Sequence, residues 1–166
     1  MISPELLRRY PFFAGLTYNH IVTLADAADE VSVPTEHYFF HEGDELRHFY
    51  FTVEGEAVIV IDVPNQEVTH TLSELLTDEY QTKDVVVIAI RPGEVFGWSA
   101  LVPPYKATSS GKAAVSCRVI AFDCWKLRQS FEEDCQFGYL MMQKAAQVIR
   151  SRLRALRTES LSGLVG

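Results

Sequence analysis

The sequence predicts a mainly β protein: a jelly-roll-like β-roll (double-stranded β-helix) with N-terminal helices and a long C-terminal dimerisation helix. Between residues 31 and 122, short segments with an apolar residue at every second position alternate with turns rich in glycine and proline, as in sandwiches and barrels. Before and after this region, the apolar residues recur every three or four positions, which is typical of helices. With 166 residues, 48% of them hydrophobic, the chain is long enough to bury a core.

Two short helices are predicted at the N-terminus. Pro4 suits the first turn of one helix, which is interrupted at Pro11. Its apolar face carries Leu6, Leu7 and Tyr10. Thr17 is placed to cap the second helix, because threonine side chains accept hydrogen bonds from the free amides of a first turn. The inner side of this helix is expected to carry Ile21, Leu24 and Ala28.

The β region is divided into short strands, predicted at residues 38–40, 48–52, 57–61, 85–90, 112–116 and 118–122. Gly43 is expected to supply the turn conformation between the first two, and Glu54-Gly55-Glu56 forms the next turn. Residues 64–84 are polar and acidic and are expected to form an enlarged loop or hairpin tip. Val95 to Leu101 is predicted as a strand end that runs into one helical turn.

The last helix, predicted at residues 135–160, has the clearest periodicity in the chain. Apolar residues recur at alternating spacings of three and four, the heptad pattern of paired helices: Tyr139, Met142, Ala146, Ile149, Leu153 and Leu156. Because the pattern persists over nearly three heptads, we expect a homodimer through this helix. The alternative is packing on the chain's own β-roll, which Phe137, Met141 and Val148 are expected to do in part. Residues 1–134 then form the β-roll domain, and residues 161–166 a frayed tail.

Charge and composition limit the partners. The net charge of −7 gives no electrostatic reason to expect nucleic-acid binding, since surfaces that follow phosphates are basic. The sequence has no apolar run long enough to span a bilayer, and its N-terminus lacks the pattern of a secretory signal. Three cysteines, widely spaced and odd in number, are expected to be reduced core residues: Cys117, Cys124 and Cys135. We therefore expect a cytoplasmic protein with no membrane partner.

Four segments carry a family resemblance: Glu42-Gly43-Asp44, the stretch from Tyr50 to Ala57, Gly93-Glu94-Val95-Phe96-Gly97, and the stretch from Ala113 to Asp123. In this order and spacing they resemble the cyclic-nucleotide-binding domain, and within it the sensor half of the catabolite-activator and fumarate/nitrate-regulator transcription factors. The resemblance covers residues 8–157. It implies a β-roll followed by a dimer helix.

The resemblance also implies a ligand pocket. In the family, a phosphate-binding cassette holds the nucleotide: amides of a short helix and an arginine bind the phosphate, and a glutamate directly after Phe-Gly binds the ribose 2′-hydroxyl. The candidate pocket residues here are Phe96, Gly97, Trp98, Ser99, Ala100, Lys106, Ala107 and Thr108.

This chain departs from the cassette at both charged positions. Trp98 stands where the glutamate is expected, and the stretch from Tyr105 to Thr108 contains no arginine. Two lost charge-assisted contacts, at about 1.5–3 kcal/mol each, weaken binding by roughly 10²–10⁴-fold. We therefore expect a degenerate nucleotide pocket that does not bind cAMP or cGMP tightly, and we expect no other cofactor.

Other chemistry finds little support in the sequence. Three scattered cysteines are too few for an iron–sulfur cluster. The histidines at 37, 41 and 48 fall in predicted strands and turns, so they are expected to be partly solvated residues and not metal or haem ligands. Ser109-Ser110-Gly111-Lys112 lacks the flanking pattern of a nucleophile elbow or phosphate loop. We expect no metal site and no enzyme activity.

The leading hypothesis is a regulatory module that senses a small-molecule effector. Two alternatives remain open: a ligand-free dimeric interaction scaffold, and the truncated effector domain of a DNA-binding transcription regulator. Only Thr158 to Gly166 follow the heptad pattern, too few residues for a helix-turn-helix domain within this chain.

Overall fold

A computed structural model of the chain describes residues 1–64 and 82–165. The N-terminal segment contains helix α1 (Pro4–Arg8), a 3₁₀ turn (Pro11–Phe13) and helix α2 (Tyr18–Asp26). Thr17 caps α2 as predicted: its hydroxyl accepts a hydrogen bond from the His20 amide, and the His20 ring accepts one from the Thr17 amide. Most of the loop or hairpin tip predicted at residues 64–84 lies outside the described residues.

Eight described strands follow: β1 (Ala28–Val33), β2 (Tyr38–Phe40), β3 (His48–Glu54), β4 (Ala57–Pro64), β5 (Thr82–Ile90), β6 (Val95–Phe96), β7 (Ser110–Ala113) and β8 (Cys117–Asp123). They form two antiparallel sheets of four strands each, in the orders β1-β8-β3-β6 and β2-β7-β4-β5. Both sheets, together with the helices, agree with the predicted β-roll. Ala28 was expected on α2, but it pairs with Phe122, because the sheet extends to the residue directly after the helix cap.

Aromatic side chains fill the core on both faces of β3. On one face, Phe49 stacks on Phe122 at 4.6 Å between ring centroids, and Phe51 packs against Phe13 at 5.4 Å. On the other face, Tyr50 stacks on Phe96 at 5.0 Å. Such ring pairs add stabilisation beyond the area they bury. The first face holds the N-terminal segment against the sheet, and the second lines the interior of the roll.

The turn between β3 and β4 requires glycine. Gly55 has a φ of +85°, a conformation that residues with a Cβ rarely adopt, and a Cβ there would collide with the Ser116 carbonyl. Beside this turn, Arg118 of β8 forms ion pairs with Glu30 at 3.2 Å and Glu54 at 2.6 Å. These contacts link the edges of three neighbouring strands.

Two helices end the chain, α3 (Cys124–Glu133) and α4 (Cys135–Val165), with Asp134 between them. One Asp134 carboxylate oxygen accepts from the Phe137 amide at 3.1 Å, and the other lies 2.9 Å from Nε2 of His20. The His20 ring also stacks on Phe137, so α2 holds the start of α4. The helix continues to Val165, so residues 161–165, expected to fray, are helical; the Ser162 hydroxyl donates to the Thr158 carbonyl within it.

The cysteines are free thiols: Cys117 and Cys124 are buried, as expected, but Cys135 is exposed at the start of α4. Burial raises the pKa of the Cys124 thiol to about 12, so it remains protonated. Among the described residues, no helix is both long enough and apolar enough to cross a membrane.

Candidate functional site

A cavity of about 210 Å³ opens between the interior of the roll and α4. Leu46, between β2 and β3, and strand residues contribute an apolar wall; the strand residues are Phe40, Ile59, Ile61, Val87, Ile88 and Phe96. The remaining lining comes from residues 97–99, residues 107–109, and two residues of α4, Arg152 and Leu156. One side of the cavity therefore belongs to the segment predicted as the pocket, and another belongs to the predicted dimer helix.

The tight turn at Gly97 positions the first part of this lining. Gly97 has a φ of +75°, and a Cβ there would lie 3.2 Å from both the His48 carbonyl oxygen and the Tyr50 ring. A 3₁₀ turn follows (Trp98–Leu101), in which Trp98 is half-buried and lines the cavity. The side chain of Ala100 points into the core instead, where it is fully buried.

Backbone hydrogen bonds hold the second part, residues 105–107, against the turn at residues 43–46. The amide of Gly43 donates to the Ala107 carbonyl, and the Ala107 amide donates to the Asp44 carbonyl, both at 2.8 Å. Lys106 lies between these two hydrogen bonds and forms a backbone β-bridge with Glu45. Its side chain is exposed. Because this pairing turns Lys106 outward, Lys106 does not line the cavity.

The structure therefore brings together six of the predicted pocket residues: Phe96, Gly97, Trp98, Ser99, Ala107 and Thr108. Ala100 and Lys106 are not among the lining residues. The sequence grouped all eight because they are neighbours along the chain, whereas the direction of each side chain depends on the turn and on the backbone pairing described above.

Among the lining residues that the sequence analysis did not predict, Arg152 is the charged one. Its Nη2 donates to the Val95 carbonyl at 2.5 Å, and burial lowers the pKa of its guanidinium, although the charge of Glu94 acts in the opposite direction. Arg152 is the one charged residue among the described residues that line the cavity. The sequence contains a signal for this residue. Val148 is expected to pack on the roll, and Arg152 lies four residues after it, on the same face of α4.

The predicted dimer residues have different surroundings on α4, and Met142 packs partly against the core. Tyr139, Ala146 and Leu153 are exposed, whereas Met142 and Ile149 are half-buried. Leu156 is half-buried and lines the cavity. Phe137 and Met141 are buried and Val148 is partly buried against the core, as expected for the face that packs on the roll.

A second hollow, of about 270 Å³, lies elsewhere on the roll and is lined by both polar and apolar residues. His37, His48, Tyr50 and Asp123 are among its lining residues. Burial lowers the pKa of His48 and raises the pKa of Tyr50 to about 12. His41 stacks on Tyr38. Within residues 1–64 and 82–165, no group of three or more histidine, cysteine or acidic residues is arranged to hold a metal ion.

Residues 30–134 match the family described as the cyclic nucleotide-binding domain. A solved structure from Geobacter metallireducens GS-15, assigned to the cyclic nucleotide-binding proteins, is 29% identical, with 92% of this chain and 99% of that chain covered and a TM-score of 0.75. The sensor domain of the transcriptional regulator DNR from Pseudomonas aeruginosa is similar at 16% identity, with 90% of each chain covered and a TM-score of 0.63.

The catabolite activator protein of Thermus thermophilus shares the fold at 18% identity and a TM-score of 0.61. That similarity covers 92% of this chain and 63% of the activator. No match was found among curated protein sequences.

Proposed function

Because this chain belongs to the cyclic nucleotide-binding domain family, we propose that it is a regulatory sensor module whose pocket recognises an effector other than a cyclic nucleotide. The family is regulatory and not catalytic, which fits the proposal. The observation that carries it is the composition of the cavity: an indole and aliphatic side chains dominate the lining, and no carboxylate lies among its described residues. The three free cysteines suit the reducing environment of the cytoplasm.

The cassette lacks both of the family's charged residues, which argues against a cyclic nucleotide; the one guanidinium among the described lining residues, Arg152, belongs to α4 and not to the cassette. Of the four residues where the family's arginine is expected, only Ala107 and Thr108 line the cavity, and neither can neutralise a phosphate. Trp98 lines the cavity where the family has its glutamate. Its indole N–H can only donate, so it accepts no hydrogen bond from a ribose hydroxyl. A buried phosphate without a fork of charge-assisted donors from the cassette loses most of its binding free energy.

The position of α4 favours sensing over a ligand-free scaffold. The same helix supplies two lining residues, Arg152 and Leu156, and carries the heptad residues that we propose pair with a second copy. A ligand that contacts these residues differently in two arrangements of α4 would shift the balance between them, which is the thermodynamic requirement for a sensor. We propose that occupancy of the cavity is communicated to the dimer through this helix.

Calorimetry with cAMP and cGMP tests the cavity assignment. We expect a Kd above about 0.1 mM for both nucleotides, because a low-micromolar affinity weakened by roughly 10²–10⁴-fold lies at or beyond that value. In the variant W98E/T108R, which places both charged side chains at positions that line the cavity, cAMP should bind more tightly. The control W98E/K106R introduces the same two side chains, but its guanidinium lies outside the cavity, and it should bind cAMP no more tightly than the unmodified protein. Low-micromolar affinity of the unmodified protein for cAMP would overturn the proposal.

A thermal-shift panel of nucleotides and metabolites separates a sensor from a scaffold. A ligand present at 100 times its Kd stabilises the folded state by about 2.7 kcal/mol and raises the melting temperature. A rise with any member of the panel that is abolished by filling the cavity, for example with Ala107→Phe, supports sensing. If no compound in the panel raises the melting temperature, the result supports the ligand-free scaffold.

A further inference from the structure

Arg152 is an unusual member of an otherwise uncharged cavity. It lies on the face of α4 that packs against the roll, it is half-buried, and Val95 supplies its one hydrogen-bond acceptor among the described residues. A guanidinium carries five N–H donors in a rigid fork. The edge of the fork that is not bonded to Val95 therefore has donors available beside the cavity.

Partial burial of this cation has an energetic cost. Removing a guanidinium from water is unfavourable unless charge-assisted hydrogen bonds compensate, and one neutral carbonyl compensates only in part. Glu94 contributes favourable charge, but its carboxylate is exposed and accepts from the Arg91 amide at 2.7 Å. An anion that enters the cavity would complete the coordination of Arg152 with two parallel hydrogen bonds.

The size and lining define the rest of the ligand. A dry apolar cavity of about 150 Å³ is known to take up benzene in another protein, so about 210 Å³ has room for a short apolar body and one small polar group. It lies below the roughly 300–1,000 Å³ of pockets for drug-sized ligands. Ser99, Thr108 and Ser109 are the polar, uncharged residues of the lining.

We propose that the cavity binds a small organic monocarboxylate, with its apolar body against the strand residues and its carboxylate on Arg152. The inference rests on the proposed sensor function and specifies its ligand class. It places the anion site on α4, the element that we propose to respond, and not on the cassette. Leu156, one helical turn from Arg152, would then contact the same ligand.

Three compounds with the same alkyl chain and different head groups test this assignment: octanoate, octanol and octylamine. Each is titrated by calorimetry into the whole protein. We expect octanoate to bind about tenfold or more tightly than octanol, the smallest gain from a charge-assisted pair. Octylamine should bind most weakly of the three, because its ammonium faces Arg152.

The variant Arg152→Gln should lose the preference for octanoate, with the two affinities within about twofold of each other, while octanol binding persists. Arg150→Gln is the matched control, because Arg150 is exposed on the same helix; it should retain the preference. If Arg152→Gln unfolds, Arg152→Lys keeps the charge without the fork and should show an intermediate preference.

A role of Arg152 only in attaching α4 to Val95 predicts a lower melting temperature in Arg152→Gln but an unchanged head-group preference. That result, or equal affinity of the unmodified protein for octanoate and octanol, would overturn the carboxylate assignment and leave the sensor proposal standing. Binding of none of the three compounds also overturns the assignment, and the metabolite panel then decides the sensor proposal by itself.

Discussion

The two halves of α4 meet very different surroundings. In the first half, Phe137 is 1% exposed and Met141 is fully buried against the domain. In the second half, Leu153 is 47% and Leu161 61% exposed. The first half is thus part of the core that folds the domain, whereas the second half carries apolar side chains that the described residues leave open to solvent. One helix therefore combines a structural element and a surface available for association.

The largest expected effect comes from the buried half. Phe137→Ala removes a ring that stacks on His20 at 4.6 Å and packs edge-on against Phe131 at 5.0 Å. It should lower the free energy of unfolding by about 3–5 kcal/mol, measured by urea denaturation. Leu161→Ala in the open half is the matched control and should change stability by less than about 0.5 kcal/mol at protein concentrations below the dimer Kd. An equal loss of unfolding free energy in the two variants would contradict this distinction between the two halves of α4.

The next effect tests association of the open half. Leu153→Glu places a charge in the proposed dimer seam and should raise the dimer Kd by roughly thirtyfold or more, as for a loss of about 2 kcal/mol at an interface centre. Sedimentation velocity measures it. Ala155→Glu adds the same charge away from the seam and should leave the Kd nearly unchanged. A monomeric unmodified protein at all concentrations would contradict the proposed dimer.

The smallest effect concerns the start of α4. The hydrogen bond from the Phe137 amide, followed by that from His20, holds the pKa of the Asp134 carboxyl below its usual value. A carboxyl with a lowered folded-state pKa stabilises the protein above its unfolded pKa of about 3.9, and this contribution is lost as the pH falls through the folded value. The melting temperature of Asp134→Asn should therefore fall less between pH 6 and pH 3 than that of the unmodified protein. An identical acid dependence would show that Asp134 contributes nothing.

Local patterns explain what the sequence predicted. The alternation of apolar residues and the turns at Gly43 and Gly55 indicated most strands, and Thr17 indicated the start of α2, because each signal depends on neighbours in the chain. The cassette segment was found for the same reason. Helical spacing indicated the face of α4 on which Arg152 lies, but not its place at the cavity, because that depends on where α4 crosses the roll. The outward direction of Lys106 could not be predicted, because it depends on pairing with Glu45.

Burial of its first part makes the rest of α4 a lever, because Ala145 is the last described residue of the helix that is buried in the core. At 1.5 Å per residue, the helix extends about 30 Å from Ala145 to Val165, and Arg152 lies about 10.5 Å along that length. If this part of α4 swings as a rigid rod about Ala145, a displacement of about 1 Å at Arg152 grows to about 3 Å at the far end. The distance from the pivot thus determines how strongly the helix amplifies an event at the cavity, and shortening the rod beyond Arg152 would reduce the stroke in proportion.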